Sequence, residues 1–317
     1  MAHPARRPSQ PVLVAREDRV PLGIAMMVAF CALAPLIDVA AKFAAQSVSV
    51  GQVTLARMVV QALLMVPVLL VLRRNVRLTL RQLGWLALRA ALLLGSTFTF
   101  VSALQVMPVA DALAIAFVEP FIILALGAVL FGDLVGPRRI AAAVVGFVGA
   151  LLVIQPNFAE FGAVALFPLG TALFFALYML VTRRIAREVD PEPMQFHTAW
   201  IGVLLFAPVL ALGALGEVEV LALSNPEGVV WLQLFCVGLA ASVAHMAITY
   251  ALRYAPSATL APLHYLEIVT AVLFGYLFFG DWPNLLSWAG IMVITGSGLY
   301  IIARERHLAR AARQAVS

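Results

Sequence analysis

The sequence predicts an all-α integral membrane protein of ten transmembrane helices, arranged as two inverted five-helix repeats with both termini cytoplasmic. Three observations carry this prediction. The chain is too apolar for water, its apolar residues fall into ten runs of spanning length, and its basic residues occupy alternate loops.

Of 317 residues, 63% are apolar and only 12% are charged, and the mean hydropathy is +1.00. Soluble globular chains carry about 25% charged and about 45–50% apolar residues. A chain this greasy needs lipid as its main solvent. That excludes a soluble enzyme, a nucleic-acid-binding domain and a disordered scaffold. The net charge of +5 and pI near 9.7 then report the basic bias of cytoplasmic loops, not an acidic partner. Cys31 and Cys236 sit in separate apolar runs without metal-ligand spacing, so no disulfide framework is implied.

About 20 consecutive apolar residues cross a bilayer core as a helix. The runs are 21–42, 52–72, 83–104, 110–131, 139–155, 162–182, 196–215, 229–252, 257–279 and 285–303, each bounded by charge, Pro, Gly or Asn. Helices are required because every backbone amide in hydrocarbon needs an internal partner. Barrel strands would read as alternating segments of about ten residues, and these runs are too long and apolar all round. Residues 1–20 read as a cytoplasmic tail. They carry Arg6, Arg7, Arg16, Glu17, Asp18 and Arg19 and lack the apolar core of a cleavable signal peptide. Residues 304–317 read as a second cytoplasmic tail.

The basic residues set the orientation. Of the 21 Lys and Arg, Lys42, Arg57 and Arg89 lie inside or at the edge of runs, and the other 18 divide without exception. The amino-terminal tail has Arg6, Arg7, Arg16 and Arg19, and the second loop has Arg73, Arg74, Arg77 and Arg81. The fourth has Arg138 and Arg139, the sixth Arg183, Arg184 and Arg187, and the eighth Arg253. The carboxy-terminal tail has Arg304, Arg306, Arg310 and Arg313. The odd loops have none. By the positive-inside rule, the tails and even loops face the cytoplasm and the number of spans is even.

Self-comparison divides the chain in two. Ala103-Leu104 with Pro108 and Ala110 matches Ala251-Leu252 with Pro256 and Ala258 at an offset of 148, which also pairs Glu119 with Glu267 and Phe131-Gly132-Asp133 with Phe279-Gly280-Asp281. Leu63-Leu64 with Pro67-Val68-Leu69 matches Leu204-Leu205 with Pro208-Val209-Leu210, and Gly149 matches Gly298. The expected repeats are 21–155 and 162–303. Five spans each is an odd number, so the second repeat inserts upside down. Inverted repeats are an architecture of alternating-access transporters, with the substrate near the midplane between the halves.

Ten spans in two halves, each running from Ala-Leu-x-x-x-Pro-x-Ala to Phe-Gly-Asp, resemble the EamA-like branch of the drug/metabolite transporter superfamily. Arg57, alone in the second span, adds to the likeness, which covers about residues 21–303. Two departures stand out. The family commonly has Gly-Glu where this chain has Gly132-Asp133 and Gly280-Asp281. It often has proline at the deep position where this chain has Glu119-Pro120 and Glu267-Ile268. The resemblance implies a central cavity lined mainly by spans 1, 3, 4, 6, 8 and 9, with spans 5 and 10 at the periphery.

Ionisable side chains in lipid cost about 2.5–3.5 kcal/mol each on insertion scales and usually face the bundle interior or a water-filled cavity. Glu119 and Glu267 stand twelve residues before the run ends at Phe131 and Phe279, roughly 18 Å deep at about 1.5 Å per residue. They are read as binding a proton or a cationic substrate group. The alternative is that they neutralise Arg57, Arg89 or His264 and hold helices in register. His264 lies three residues before Glu267 on one helical face, with Tyr265 beside it, and His245 is a further candidate to join them. Those residues lack a tight metal-binding motif, and no metal is assigned. Asp38 and Lys42, at i and i+4, form either an ion pair or a substrate contact, unless Lys42 snorkels to the headgroups. Arg57 reads as structural or substrate-binding. Arg89, about a third of the way into its run, either contacts substrate or snorkels to the cytoplasmic surface. Asp111 sits at the outer edge of its run, where it could cap the helix.

The aromatics Phe98, Phe100, Phe174, Phe175, Tyr178 and Tyr250 either stack on a flat substrate or pack helices. Trp231, Trp282 and Trp288 read as interface anchors, and Gly146, Gly149, Gly290, Gly296 and Gly298 as sites of close helix contact. There is no Walker A sequence, no His-Glu-x-x-His and no Gly-x-Ser-x-Gly, so neither ATP hydrolysis nor intramembrane catalysis is expected, and no cofactor. A channel would need a ring of like groups around a symmetric pore, which one chain does not display.

The expectation is a permease in the cell (inner) membrane for a small organic metabolite, amino-acid-like or amphoteric, with a flat vitamin such as riboflavin as the alternative. Protons are the candidate coupling ion. A homodimer stays open, membrane lipid surrounds the chain, and no nucleic acid is involved.

Overall fold

The computed structural model describes residues 19–106, 109–132, 135–154, 162–279 and 284–314. Among them every regular element is helical. The first half holds α1 (Val20–Ala44), α2 (Val50–Val71), α3 (Leu80–Val106), α4 (Val109–Ala116), α5 (Glu119–Phe131) and α6 (Pro137–Ile154). The second holds α7 (Leu166–Ile185), α8 (Pro191–Leu215), α9 (Gly228–Tyr254), α10 (Leu266–Phe279) and α11 (Leu285–Gln314). Among the described residues, eight stretches are long and apolar enough to cross a membrane, and Glu119–Phe131 is apolar but shorter. Large apolar side chains such as Leu70, Val71, Val129, Leu212 and Leu285 are strongly exposed, as a surface solvated by lipid requires.

Two of the ten runs are not the single helices the sequence predicts. The run 110–131 breaks between α4 and α5, and the run 257–279 opens with one helical turn, Ser257–Leu260, and a 3-10 turn, Ala261–Tyr265, before α10. Proline explains the first break. Pro120 has no N–H, and in a continuous helix its ring would meet the carbonyl of Ala116, the last residue of α4. In the second segment Pro262 stands in the 3-10 turn itself, at a different register of the repeat. The breaks fall where the chain carries Glu119 and Glu267, so each carboxylate sits in the first turn of a half-helix.

Smaller corrections follow the same logic. Helix α8 starts five residues before the apolar run because Pro191 opens it, and proline is well suited to a first turn. The last helix continues to Gln314, so the predicted tail from 304 is helical over most of its length. Residues 1–18, Trp282, Asp133 and the Gly280-Asp281 pair lie outside the described residues, as does the side chain of Asp111. The Phe-Gly-Asp motif of the first half is a helix stop. Gly132 has φ +65° and its N–H bonds to Ala128 O, a left-handed cap that favours glycine.

Packing brings distant runs together. Helix α1 lies along α9, α3 along α7, α2 along both α8 and α9, and α6 along α11. Within α1, Pro35 cannot bond back to the Cys31 carbonyl. The hydroxyl of Thr270 on α10 donates to that oxygen instead, at 2.5 Å, so the gap in one helix becomes a joint to another. Gly149 and Gly290 mark the close contact of α6 and α11: a Cβ on Gly290 would come within 2.6 Å of Gly149 O. Gly146 makes room for the Tyr265 ring, and Gly298 for Leu266, but Gly296 has open space beside it and is not a packing site. Trp231 and Trp288 are exposed, in keeping with interface positions.

The connections meet at two ends. At one, Ser49 Oγ donates to Ala222 O and Gln52 pairs with Ser224. At the other, the arginine-bearing connections join. Arg253 reaches Asp190 at 2.7 Å, and Arg74 reaches Asp190 at 3.5 Å and Glu192 at 3.3 Å. Tyr250 donates to Glu192 at 2.5 Å, Arg183 to Ser257 Oγ at 2.7 Å, and Arg139 to Thr259 Oγ1 at 2.8 Å. The nearby Glu192 carboxylate raises the pKa of Arg74 above its ordinary value. These bonds form a clasp across the helix ends.

Candidate functional site

A cavity of about 110 Å³ opens in the half of the bundle away from the clasp. It is bordered by α1 (Phe30, Ala34, Ile37, Asp38, Ala41), α2 (Val53, Arg57), α3 (including Ser96, Thr97 and Phe100) and the α4–α5 break (Leu113, Ala116, Phe117, Glu119). Thr171 and Phe175 of α7, Val237 and His245 of α9, and His264 and Glu267 complete the wall. In terms of the predicted runs, these are 1, 3, 4, 6, 8 and 9, joined by run 2 through Val53 and Arg57. Among the described residues, none from α6 or α11 lines it.

The two broken segments deliver one cluster. His264 lies between the carboxylates of the two halves, with Nδ1 3.4 Å from Glu119 Oε1 and Nε2 3.3 Å from Glu267 Oε2. All three side chains are buried. Neither contact has the alignment of a good hydrogen bond, and Glu119 Oε1 and both imidazole nitrogens have no other partner. Only an imidazolium can donate to both carboxylates at once. Phe175 stacks on His264 at 5.9 Å between ring centroids, and Phe30 lies at 5.4 Å. Phe30 and Phe175 are themselves near parallel, 6.3 Å apart with 20° between planes. The result is an aromatic wall beside an acidic floor.

A second polar chain begins at Arg57. Its Nη1 donates to Thr97 Oγ1 at 2.7 Å and its Nη2 lies 2.6 Å from His245 Nε2. A guanidinium has no lone pair to offer. His245 Nε2 is therefore the acceptor nitrogen, and Nδ1 carries the proton toward Tyr178 Oη, 2.8 Å away. Arg89 donates to the same hydroxyl at 2.6 Å and lies 4.5 Å from the Tyr178 ring centre. Its remaining contacts are Thr182, Thr198, Thr249 and Gln195. Neither Tyr178 nor any other partner of Arg89 borders the cavity.

The predicted site residues thus separate. Glu119, Glu267 and His264 come together at the cavity, with Asp38 and Arg57 on its wall. His245 also reaches the cavity, but it is bonded to arginine and tyrosine rather than to the carboxylates. Arg89 does not snorkel: it is fully buried, because three helices supply enough neutral oxygens to replace its hydration. Tyr265 turns away from the cavity. Its hydroxyl donates to Phe117 O at 3.1 Å, and its ring fills the space over Gly146. Lys42 does not border the cavity, although Asp38 does. Of the aromatics, Phe100 and Phe175 line the cavity, Phe98 packs on Phe206, Phe174 covers Gly95, and Tyr250 belongs to the clasp. The sequence reading missed Thr97, Thr182, Gln195, Thr198 and Thr249. Their signal was present in polar pairs at helical spacing inside or at the edge of apolar runs: Tyr178 with Thr182, Gln195 with Thr198, His245 with Thr249.

The family model described as "EamA-like transporter family" matches residues 21–155 and again 162–303. The chain belongs to the EamA-like transporter family. This EamA-like protein is 34% identical over 210 residues to a riboflavin transporter of Rhizobium johnstonii, covering 65% of this chain and 66% of that one. It is 26% identical over 289 residues to a riboflavin transporter of Brucella anthropi, covering 90% and 100%. An S-adenosylmethionine uptake transporter of Rickettsia felis is 24% identical over 219 residues, covering 69% and 71%. A solved crystal structure shares the fold at a TM-score of 0.73 with 19% identity, covering 92% of this chain and 99% of the other. This EamA-like protein is accordingly a multi-pass membrane transporter of small metabolites, not an enzyme.

Proposed function

We propose that the protein is a secondary transporter that carries an amphoteric small metabolite across the inner membrane by alternating access. Two inverted five-span repeats, 21–155 and 162–303, rock about the central cavity, and both termini are cytoplasmic. One observation carries this reading: two half-helices from opposite halves of the chain meet at the cavity, each bearing a carboxylate in its first turn, with His264 between them. Discontinuous helices at the repeat interface are a frequent way to build a midplane site for substrate and coupling ion. Helix pairing supports the repeat. Exchanging the halves turns the α1–α9 contact into the α7–α3 contact, while α2–α8 and α6–α11 map onto themselves.

The cavity holds Asp38, Glu119 and Glu267 together with Arg57, an inventory suited to a molecule with both acidic and basic groups. That favours an amino-acid-like metabolite. Riboflavin is the second reading, supported by the near-parallel Phe30 and Phe175 rings and by the names of the Rhizobium and Brucella relatives. The Glu119–His264–Glu267 cluster would carry the coupling proton.

The test is uptake into liposomes containing the purified protein. Amino acids, riboflavin and S-adenosylmethionine are screened with and without an imposed pH gradient, and the screen is repeated with Glu119→Gln and Glu267→Gln. Saturable, counter-flow-stimulated transport that falls about tenfold or more and loses its pH response in both variants is expected. Wild-type rate and pH dependence in both would remove the carboxylates from the mechanism.

A further inference from the structure

Arg57 is 7% exposed and borders the cavity beside Asp38, but among the described residues no carboxylate lies within ion-pair distance of it. Glu119 and Glu267 are in contact with His264 instead, and no ion pair links Arg57 to Asp38 among the described residues. The guanidinium is held by a threonine and a neutral histidine, and its Nε is buried without any partner. A desolvated cation whose direct hydrogen-bond partners are neutral, and which keeps an unused donor, is costly in a membrane. An anion arriving through the cavity would supply what the protein leaves out.

The surroundings favour a planar anion. Guanidinium presents parallel N–H donors that match a carboxylate, or another flat anion such as an ionised imide, through two bonds at once. Thr97 and His245 hold the two terminal nitrogens and so fix the plane of the fork. His245 is fixed in turn, because Tyr178 binds its other nitrogen and Arg89 binds the Tyr178 hydroxyl. With donors pressing from both ends, the imidazole keeps its Nε2 lone pair for Arg57. Phe30 and Phe175 offer the flat apolar surface that a ring attached to the anion would cover.

We propose that Arg57 is a preset subsite for a planar anionic group on a flat substrate, a carboxylate or an ionised imide, held in orientation from behind by His245, Tyr178 and Arg89. Arg57 makes the contact. His245, Tyr178 and Arg89 are positioning residues. The inference rests on the cavity being the transport site and adds to it the chemical class of one end of the substrate.

Benzoate and benzamide are matched probes, flat and nearly isosteric, differing in charge. Their binding to the purified full-length protein is read from the concentration dependence of its thermal unfolding in detergent. Benzoate should bind at least about tenfold more tightly than benzamide, as expected for a charge-assisted contact in a desolvated site. Arg57→Gln should erase the difference, and Arg57→Lys should keep only part of it. His245→Gln can still accept from Arg57 and donate to Tyr178, so it should keep the preference, whereas His245→Phe should lose most of it. If Arg57→Gln does not fold, the Arg57→Lys variant and the His245 pair decide. Equal binding of the two probes, no benzoate binding up to tens of millimolar, or a preference that survives Arg57→Gln would overturn the anion subsite. A preference unchanged in His245→Phe would overturn the bracing chain. Liposome transport that is insensitive to both benzoate and Arg57→Gln would leave the transport reading standing without this subsite. Arg57-dependent benzoate binding with no transport of any screened metabolite would do the reverse.

Discussion

Arg57 and Arg89 are both buried, and both are held by neutral oxygen and nitrogen atoms, but their halves of the molecule differ. Around Arg89 the helices are closed. Three of them contribute hydroxyls and an amide to one guanidinium, and the clasp of Arg74, Arg253, Asp190, Glu192 and Tyr250 ties the helix ends beyond it. Around Arg57 the helices part: Asp38, Glu119, Glu267 and His264 face the cavity, and Glu119 Oε1 and both His264 nitrogens have no hydrogen-bond partner. The closed half uses its polar groups to hold helices together. The open half keeps them available, which is what a binding site requires. Alternating access would exchange these conditions between the two ends.

The sharpest separation is between stability and function. Arg89→Met strands hydroxyls and an amide in a sealed interior and should lower stability by about 3 kcal/mol or more. Arg57→Met loses two bonds but relieves a desolvated charge, and should cost no more than about 1 kcal/mol. Thermal unfolding of both in one detergent decides, and equal losses would break the comparison. The clasp comes next. Asp190→Asn combined with Glu192→Gln should raise labelling of an Ala34→Cys probe from the arginine-rich face about tenfold, equivalent to roughly 1.4 kcal/mol of population shift. The probe is read with Cys31 and Cys236 replaced by serine and a membrane-impermeant maleimide. Labelling unchanged from that face would mean the clasp holds helices without gating the cavity.

The smallest contrast lies within one helix. Gly290→Ala would force a Cβ against Gly149 O and Val153 N and should cost about 1–3 kcal/mol. Gly296→Ala meets nothing within 4 Å and should stay within about 0.5 kcal/mol. Two melting curves test this pair.

Much of the architecture was legible in the sequence because lipid imposes simple rules. Run length marked the helices, and the Phe-Gly of Phe131-Gly132 marked a helix end with a left-handed glycine. The breaks were less legible. Pro120 lies inside an apolar stretch whose hydropathy is continuous, and hydropathy does not register a missing N–H. The histidines show a different limit. His264 and Glu267 are adjacent by helical spacing, so their contact could be read directly. His245 stood as a candidate for the same cluster, but its ring is claimed by Arg57 and Tyr178, from helices 188 and 67 residues away in the chain. Asp38 and Lys42 had the right spacing for an ion pair, yet only Asp38 borders the cavity.

What the sequence by itself determined is the solvent, the class and the short list of charges in the membrane. Each depends on composition or local period, and the cost of charge in hydrocarbon makes every exception visible. Only the tertiary structure decided which of those charges share a space. It joined Glu119 to Glu267 through His264, sealed Arg89 behind Tyr178, and left Arg57 at the cavity with an unused donor. The physical reason is that a buried ion is satisfied by whatever oxygen or nitrogen the packing of other helices brings within about 3 Å, and that distance is set by the fold, not by the neighbours in the chain.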